Sequence, residues 1–243
     1  MSIIKLNAID STNDFLKVLS RNQSVDNFTT VVAQKQTNGK GQMGAVWQSE
    51  EGKNLIMSVL VKDVLQNVDE IFHLNVAVAL SVIQVLEVFN IPNLSVKWPN
   101  DIMSDPKKIC GILIENSIKS DTNVESIIGI GLNVNQLKFD NLPKASSMAV
   151  ICEKEFDLDS ILDLIIFQIK KNCSWILSQQ SDKLWQEYHK KLFKINVPMA
   201  FEDVFQNKFM GIIQGVLTDG RLQVLLEDDS IKSYGIKEIQ VLF

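Results

Sequence analysis

The stretch from Val68 to Phe89 constrains the fold more than any other part of this chain. It carries apolar residues on nearly every face, the mark of a helix buried on most sides. Such a helix requires a domain large enough to surround it. With 243 residues, 46% of them hydrophobic and 22% charged, the chain suits one large domain, or one medium domain with a small one beside it. The same stretch does not read as a membrane span. Its uncharged part, Ile71 to Leu86, is interrupted by His73, Asn75, Ser81 and Gln84, and is too short and too polar to cross a bilayer.

Other elements are legible around this helix. Ser11 and Thr12 open a helical stretch to about Leu19, and either suits an N-cap. Phe28 to Ala33, rich in Thr and Val, reads as a strand, followed by a glycine-rich loop at Asn38 to Gly44 and a second strand at Asn54 to Val61. Pro92 ends the buried helix, and Ser95 to Trp98 begins a short strand. Ile109 to Glu115 and Ser126 to Asn133 are β-branched runs that pair as a hairpin across a polar turn, Lys119 to Asn123. Residues 158–193 are strongly helical. Beyond Ile195, short alternating runs are punctuated by Pro198, Gly211, Gly215, Gly220 and Gly235, and Asp219-Gly220 is a hairpin signal. About five short strands in that segment predict a small barrel. The expected layout is therefore α+β: a mixed domain over residues 1–194, then a small all-β domain over 195–243.

Composition excludes several classes of function. Cys110, Cys152 and Cys173 are odd in number and lack metal-type spacing, and the two histidines are far apart. This argues against a disulfide framework and a zinc site, and for small buried residues in a reducing compartment. Met1 to Asp10 lacks the basic and apolar segments of a secretion signal, so a cytoplasmic protein is expected. A net charge of −5 without a basic cluster leaves no electrostatic footprint for nucleic acid, and no membrane partner is expected.

Three constellations carry chemistry. Gly39-Lys40-Gly41-Gln42-Met43-Gly44 has the spacing of a dinucleotide loop, but a strand and not a helix follows it. The dinucleotide reading fails on that context, and no Gly-Lys-Ser/Thr ending supports a Walker loop. What remains is a glycine loop between strands, closed by Trp47, whose backbone can approach a phosphate and whose indole offers a base a flat face. A mobile hairpin with an ordinary core tryptophan is the competing reading. The second constellation is Lys97-Trp98-Pro99-Asn100-Asp101, followed by Lys107, Lys108 and Gly111. Pro99 ends the strand abruptly and presents Asn100 and Asp101 at its mouth, with Lys108 starting the next strand and facing the same opening. For Lys107 a solvated surface position is preferred. The third constellation, Gly129 to Asn135, is a buried strand with two glycines, which weaken a strand unless something approaches its backbone closely.

Taken in order, Asp10-Ser11-Thr12-Asn13, the loop from Gln36 to Trp47, Lys97 to Asp101 with Lys108 to Gly111, and Gly129 to Asn133 resemble the biotin protein ligase family, from about residue 8 to the end of the chain. The resemblance implies a mixed sheet packed with helices, of the class II synthetase-like biotin/lipoate ligase type, followed by an SH3-like barrel. It implies ATP, magnesium and biotin as ligands, biotinyl-AMP as intermediate, and a biotin carboxyl carrier protein as acceptor; a homodimer is left open. By that resemblance Ser11, Thr12, Asn13 and Gln36 hold the biotin ring region, Gly39 and Lys40 line its chain and carboxylate, and Gly111, Gly129 and Gly131 leave room for it. Lys40, Gly41, Gln42, Trp47, Asn100, Lys108 and Asn133 contact ATP or the adenylate, with Trp47 stacking on adenine. No protein-held metal site is implied, since magnesium rides on the ATP phosphates.

Lys108 is the implied catalytic cation. Attack of a carboxylate on ATP brings two anions together, and a fixed cation between them is worth most in the transition state. Asp101 is the implied aid to proton loss from the carrier lysine. The loop departs from the family pattern Gly-Arg-Gly-Arg-x-Gly-Arg-x-Trp, with Lys40, Gln42 and Ala45 at the arginine positions. Two expected charges on the adenylate are missing, which predicts leakage unless Lys40 or a residue elsewhere in the chain replaces them. Some family members begin with a helix-turn-helix domain, and none is expected ahead of Ser11. A lipoate ligase and a non-catalytic biotin sensor are the alternative readings.

Overall fold

The computed structural model describes residues 2–65, 67–120, 123–140 and 142–242. Strand β1 (Ile3–Ile9) leads through helix α1 (Thr12–Asn22) to β2 (Thr30–Gln36) and β3 (Leu55–Val61). Helix α2 (Ile71–Val88) precedes β4 (Leu94–Lys97), β5 (Asp101–Ser104), β6 (Lys107–Ser120) and β7 (Asn123–Leu132). Helices α3 (Met148–Cys152), α4 (Leu158–Leu177) and α5 (Ser181–Lys190) complete the first part. The seven strands form one mixed sheet in the order β1-β2-β3-β7-β6-β5-β4, antiparallel except for β1 against β2. The expected hairpin is β6–β7. Asp121 and Thr122 of its expected turn lie outside the described residues.

Strand alternation divides the sheet into two faces. On one face Leu55, Met57 and Val59 of β3, Cys110 and Ile112 of β6, and Ile128, Ile130 and Leu132 of β7 join the main core, packed under α2 and α4. Contrary to the sequence reading, α2 is long and apolar enough to pass for a membrane span; it is burial of Leu74, Val76, Val78, Val82, Ile83 and Leu86 in that core that marks it as a core helix. On the other face Leu60 and Ile127 pack under α1 with Leu16 and Val31. The intervening positions on that face are Ile56 and Ser58 of β3, Gly111, Leu113 and Glu115 of β6, and Gly129 and Gly131 of β7. These positions build the site.

Several boundaries differ from the sequence reading. Strands β1 and β5 and helix α3 were not expected. Asn100 and Asp101 therefore occupy a hairpin between β4 and β5, not the open end of a strand. The helical region over 158–193 is split into α4 and α5, with Gln179 in a left-handed conformation at the corner (φ 57°). Ser11, not Thr12, is the N-cap of α1.

The remaining strands, β8 (Pro198–Asp203), β9 (Lys208–Val216), β10 (Leu222–Leu226), β11 (Ile231–Tyr234) and β12 (Ile239–Leu242), form a five-stranded antiparallel sheet in the order β11-β10-β9-β8-β12. Its Asp219-Gly220 turn docks on the first part of the chain. The Gly220 carbonyl accepts from the Trp98 indole at 2.8 Å, and the Phe72 ring packs where a Gly220 side chain would stand. Nearby, His189 Nε2 lies 3.1 Å from the Val216 amide nitrogen and 3.0 Å from its carbonyl oxygen. Gly220 also has φ 89°. A Gly220→Ala change is expected to destabilise the fold by at least about 1–2 kcal/mol from the left-handed backbone alone, with the clash against Phe72 adding to it. Urea denaturation measures this, and an unchanged midpoint would refute the docking role of the turn.

Candidate active site

The intervening positions of β3, β7 and β6 line up across the sheet in two rows. Ile56, Gly131 and Gly111 form one, and Ser58, Gly129 and Leu113 form the next. With α1 and the glycine loop above them, they enclose a cleft of about 230 Å³. Its walls include Ser11, Thr12, Asn13, Gln36, Lys40 and Lys108.

The glycines create depressions, and protein side chains fill them. Asn13 packs against Gly129, where a Cβ would stand 2.5 Å from its Oδ1. The Trp47 indole packs against Gly131 and Gly111. A side chain at any of these three glycines would meet Asn13 or Trp47, and all three glycines line the cleft. Gly39 lies against the Trp47 carbonyl and leaves no room for a side chain there.

One end of the cleft is a buried polar network. Ser58 Oγ lies 2.6 Å from Asn13 Oδ1 and 2.7 Å from Thr12 Oγ1. Thr12 donates through its backbone and hydroxyl to Gln36 Oε1, and Asn13 Nδ2 donates to Glu115. Ser58 and Glu115 belong to no motif. The signal for Ser58 was a lone hydroxyl within the apolar run Leu55–Val61, because a hydroxyl buried there needs partners.

The other end is charged. Lys108 and Asp101 form an ion pair at 2.6 Å, and the Lys108 ammonium lies 5.6 Å from the centre of the Trp47 ring. Asn100 is pinned to β6, its side chain donating to the Ile112 carbonyl. Burial lowers the pKa of Lys97 below the usual lysine value, with Asp101 opposing the shift, and burial pushes the neighbouring Cys110 thiol well above its ordinary range. Lys40 is held above the usual value by its hydrogen bond to Asp14, with which it pairs at 2.6 Å.

The structure brings together nearly all the expected residues. Asn133 is not among the residues that line the cleft, and its side chain donates to the Ser146 carbonyl. Gly39 shapes the loop but is not part of the wall. Asp101 is the one carboxylate among the described lining residues, and no cluster of three metal-ligating side chains occurs among the described residues. This donor set does not amount to a protein-built magnesium site.

Removing the Ser58 hydroxyl leaves Asn13 Oδ1 without a donor. Ser58→Ala is expected to cost about 1–3 kcal/mol of stability, the penalty for a buried unsatisfied polar group. A chemical denaturation curve identical to that of the parent protein would show the network to be dispensable.

Residues 6–133 match the model of the biotin/lipoate A/B protein ligase family. The bifunctional ligase/repressor BirA of Bacillus spizizenii is 31% identical over 226 residues, covering 88% of this chain and 68% of that protein. The biotin--[acetyl-CoA-carboxylase] ligase of Mycobacterium tuberculosis is 26% identical over 217 residues, covering 87% of this chain and 79% of that protein. Among solved structures, the biotin protein ligase from Aquifex aeolicus in complex with biotin and ATP superposes with a TM-score of 0.82 at 27% identity, covering 99% of this chain and 98% of that one.

Proposed function

The chain belongs to the biotin/lipoate A/B protein ligase family and carries out ATP-dependent biotin ligation, and from that premise we propose how its cleft divides the work. The observation that carries the assignment is the Lys108–Asp101 pair at the charged end of a cleft whose other end is lined by the uncharged hydrogen-bonding side chains of Ser11, Thr12, Asn13 and Gln36. An uncharged, polar ring system suits the Ser11, Thr12, Asn13 and Gln36 end. A carboxylate and a phosphate suit the Lys108 end.

In the first step the biotin carboxylate oxygen attacks the α-phosphorus of ATP, the bond to the β-phosphate oxygen breaks, and pyrophosphate leaves. Lys108 exchanges Asp101 for the two approaching anions, which lowers the barrier because their charge is most crowded in the transition state. No protein-held metal is needed for this division of labour: magnesium carried in on the ATP phosphates would supply charge neutralisation for the pyrophosphate. In the second step the neutral amine of a carrier lysine attacks the biotinyl carbonyl and AMP leaves. Asp101, released from Lys108, takes the amine's proton. Trp47, beside Lys108, offers the face for adenine, and burial beneath the loop shields the mixed anhydride from water. The acceptor is a carrier protein of the biotin carboxyl carrier type. We assign residues 1–194 to catalysis and 195–243 to a supporting β domain.

Pyrophosphate release with ATP, magnesium and biotin, but not with lipoate, is the expected outcome, and release with lipoate alone would overturn the biotin assignment. Lys108→Ala is expected to abolish that release while leaving the melting temperature near that of the parent, since the side chain is one-third exposed. Lys108→Arg should recover little, because a planar fork does not replace a compact ammonium. Normal turnover in Lys108→Ala would remove this residue from the mechanism.

Trp47→Ala is expected to weaken ATP binding by about 1–3 kcal/mol, the usual worth of stacking on an aromatic face. Calorimetry with ATP and with biotin separately tests this. Equal losses for both ligands would make Trp47 a wall of the cleft and not an adenine platform.

A further inference from the structure

The glycine loop is a small hairpin. The Trp47 amide donates to the Gly39 carbonyl at 2.9 Å, Gly41 to Ala45 at 2.7 Å, and Ala45 to Gln42 at 3.1 Å. Its tip, Gln42–Gly44, bends at Met43, which has φ 52° and is 65% exposed. From Gly41 to Val46 the loop carries no charged side chain, and its one cation, Lys40, is already paired with Asp14 at 2.6 Å.

A lysine far along the chain meets this tip. Lys237 Nζ donates to the Met43 carbonyl at 3.0 Å across 194 residues of sequence. Lys237 stands in the tight turn between β11 and β12. There the Gly235 amide donates to Glu238 Oε2 at 2.7 Å, the Glu238 amide donates to the Gly235 carbonyl at 3.1 Å, and Lys237 itself has φ 67°. Both ends of the contact are thus held in the left-handed region, where an L-residue stays only when its surroundings fix it. Lys237 also shares a second cavity with Gln42, Lys97 and Trp98, and Gln42 faces the substrate cleft as well. The turn that carries Lys237 and the loop that covers the cleft therefore meet at Gln42 and Met43.

We propose that Lys237 is a positioning residue that latches the glycine loop over the cleft from the second sheet, supplying by a tertiary contact the retention that Gln42 and Ala45 cannot supply by charge. This inference rests on the ligase reading of the cleft. A bound adenylate escapes only when the loop opens. A hydrogen bond from a charged donor shifts the open–closed balance of an exposed loop by roughly five- to ten-fold. Lys237 does not touch the reacting atoms, so it governs escape relative to formation of the adenylate.

Two measurements on the full-length chain test this. In the ligand-free protein, hydrogen exchange of the Gly41, Ala45 and Trp47 amides is expected to quicken by about five-fold in Lys237→Ala, with exchange in α2 and β7 unchanged and parent-like protection in Lys237→Arg. This readout does not depend on any activity, so unchanged loop exchange overturns the latch even if the ligase reading fails. With ATP, magnesium and biotin but no carrier, labelling of an unrelated bystander protein per pyrophosphate formed is expected to rise several-fold in Lys237→Ala, to rise further in Lys237→Glu, and to return in Lys237→Arg. A parent protein that forms no pyrophosphate contradicts the ligase reading alone. An active parent whose Lys237→Ala form leaks no more than the parent contradicts the latch. Faster exchange throughout the second sheet, unrescued by arginine, would make Lys237 merely structural and overturn the proposal as well.

Discussion

The residues that floor the cleft share their strands with the residues that seal the core. On β7, Ile128, Ile130 and Leu132 point under α2 and α4, so Gly129 and Gly131 point into the cleft. On β6, Cys110 and Ile112 are buried, and Gly111 and Leu113 face the site. A slip of one residue in either strand would exchange the two faces and drive isoleucines into the cleft. Each such side chain contributes about 1.5–3 kcal/mol by burial. The apolar pattern of the core therefore fixes the register, and the register fixes where glycine is available for Asn13 and Trp47 to occupy.

Above this floor, cations and carboxylates are already matched. Lys108 pairs with Asp101, Lys40 with Asp14, and Lys17 with Glu115. Partly exposed pairs of this kind contribute only about 0–1 kcal/mol each. They keep the lysines oriented yet let an incoming phosphate or carboxylate displace the resident acid at little cost. The network around Ser58 behaves differently, because Ser58, Thr12 and Asn13 are buried and each loss leaves a group unsatisfied. One end of the cleft is consequently rigid and the other is ready to exchange partners.

Much of this was legible in the sequence, where the signal was periodic or punctuated. The buried helix α2, the β6–β7 hairpin, the run of short C-terminal strands and the loop closed by Trp47 each have a repeat or a turn signature. Strand β5 has four residues immediately after Pro99 and Asn100, too few to show alternation, so Asp101 read as the mouth of a strand. Strand β1 is an edge strand paired in parallel with β2, and its mixed exposure blurs the pattern. Asn133 illustrates a different gap: its place in a motif suggests a ligand contact, while its side chain also donates to the Ser146 carbonyl, away from the cleft wall. No local pattern signals that a residue's hydrogen bond is already used.

The contact between Lys237 and Met43 is the least legible feature, because nothing in either segment points to the other. Its physical basis lies in how the second sheet is seated. Trp98 holds the Gly220 turn, Phe72 packs beneath it, and His189 grips Val216, so the five-stranded sheet is fixed to the same α2 and β4 region that carries the Lys97–Asp101 hairpin. A lysine projecting from that sheet is positioned relative to the cleft as firmly as the cleft's own walls. Charges at the arginine positions of the loop would travel with the loop when it opens, whereas a latch on a separate sheet stays behind. Retention then depends on the docking of two sheets, and an element without catalytic groups acquires a part in the reaction through contiguous packing.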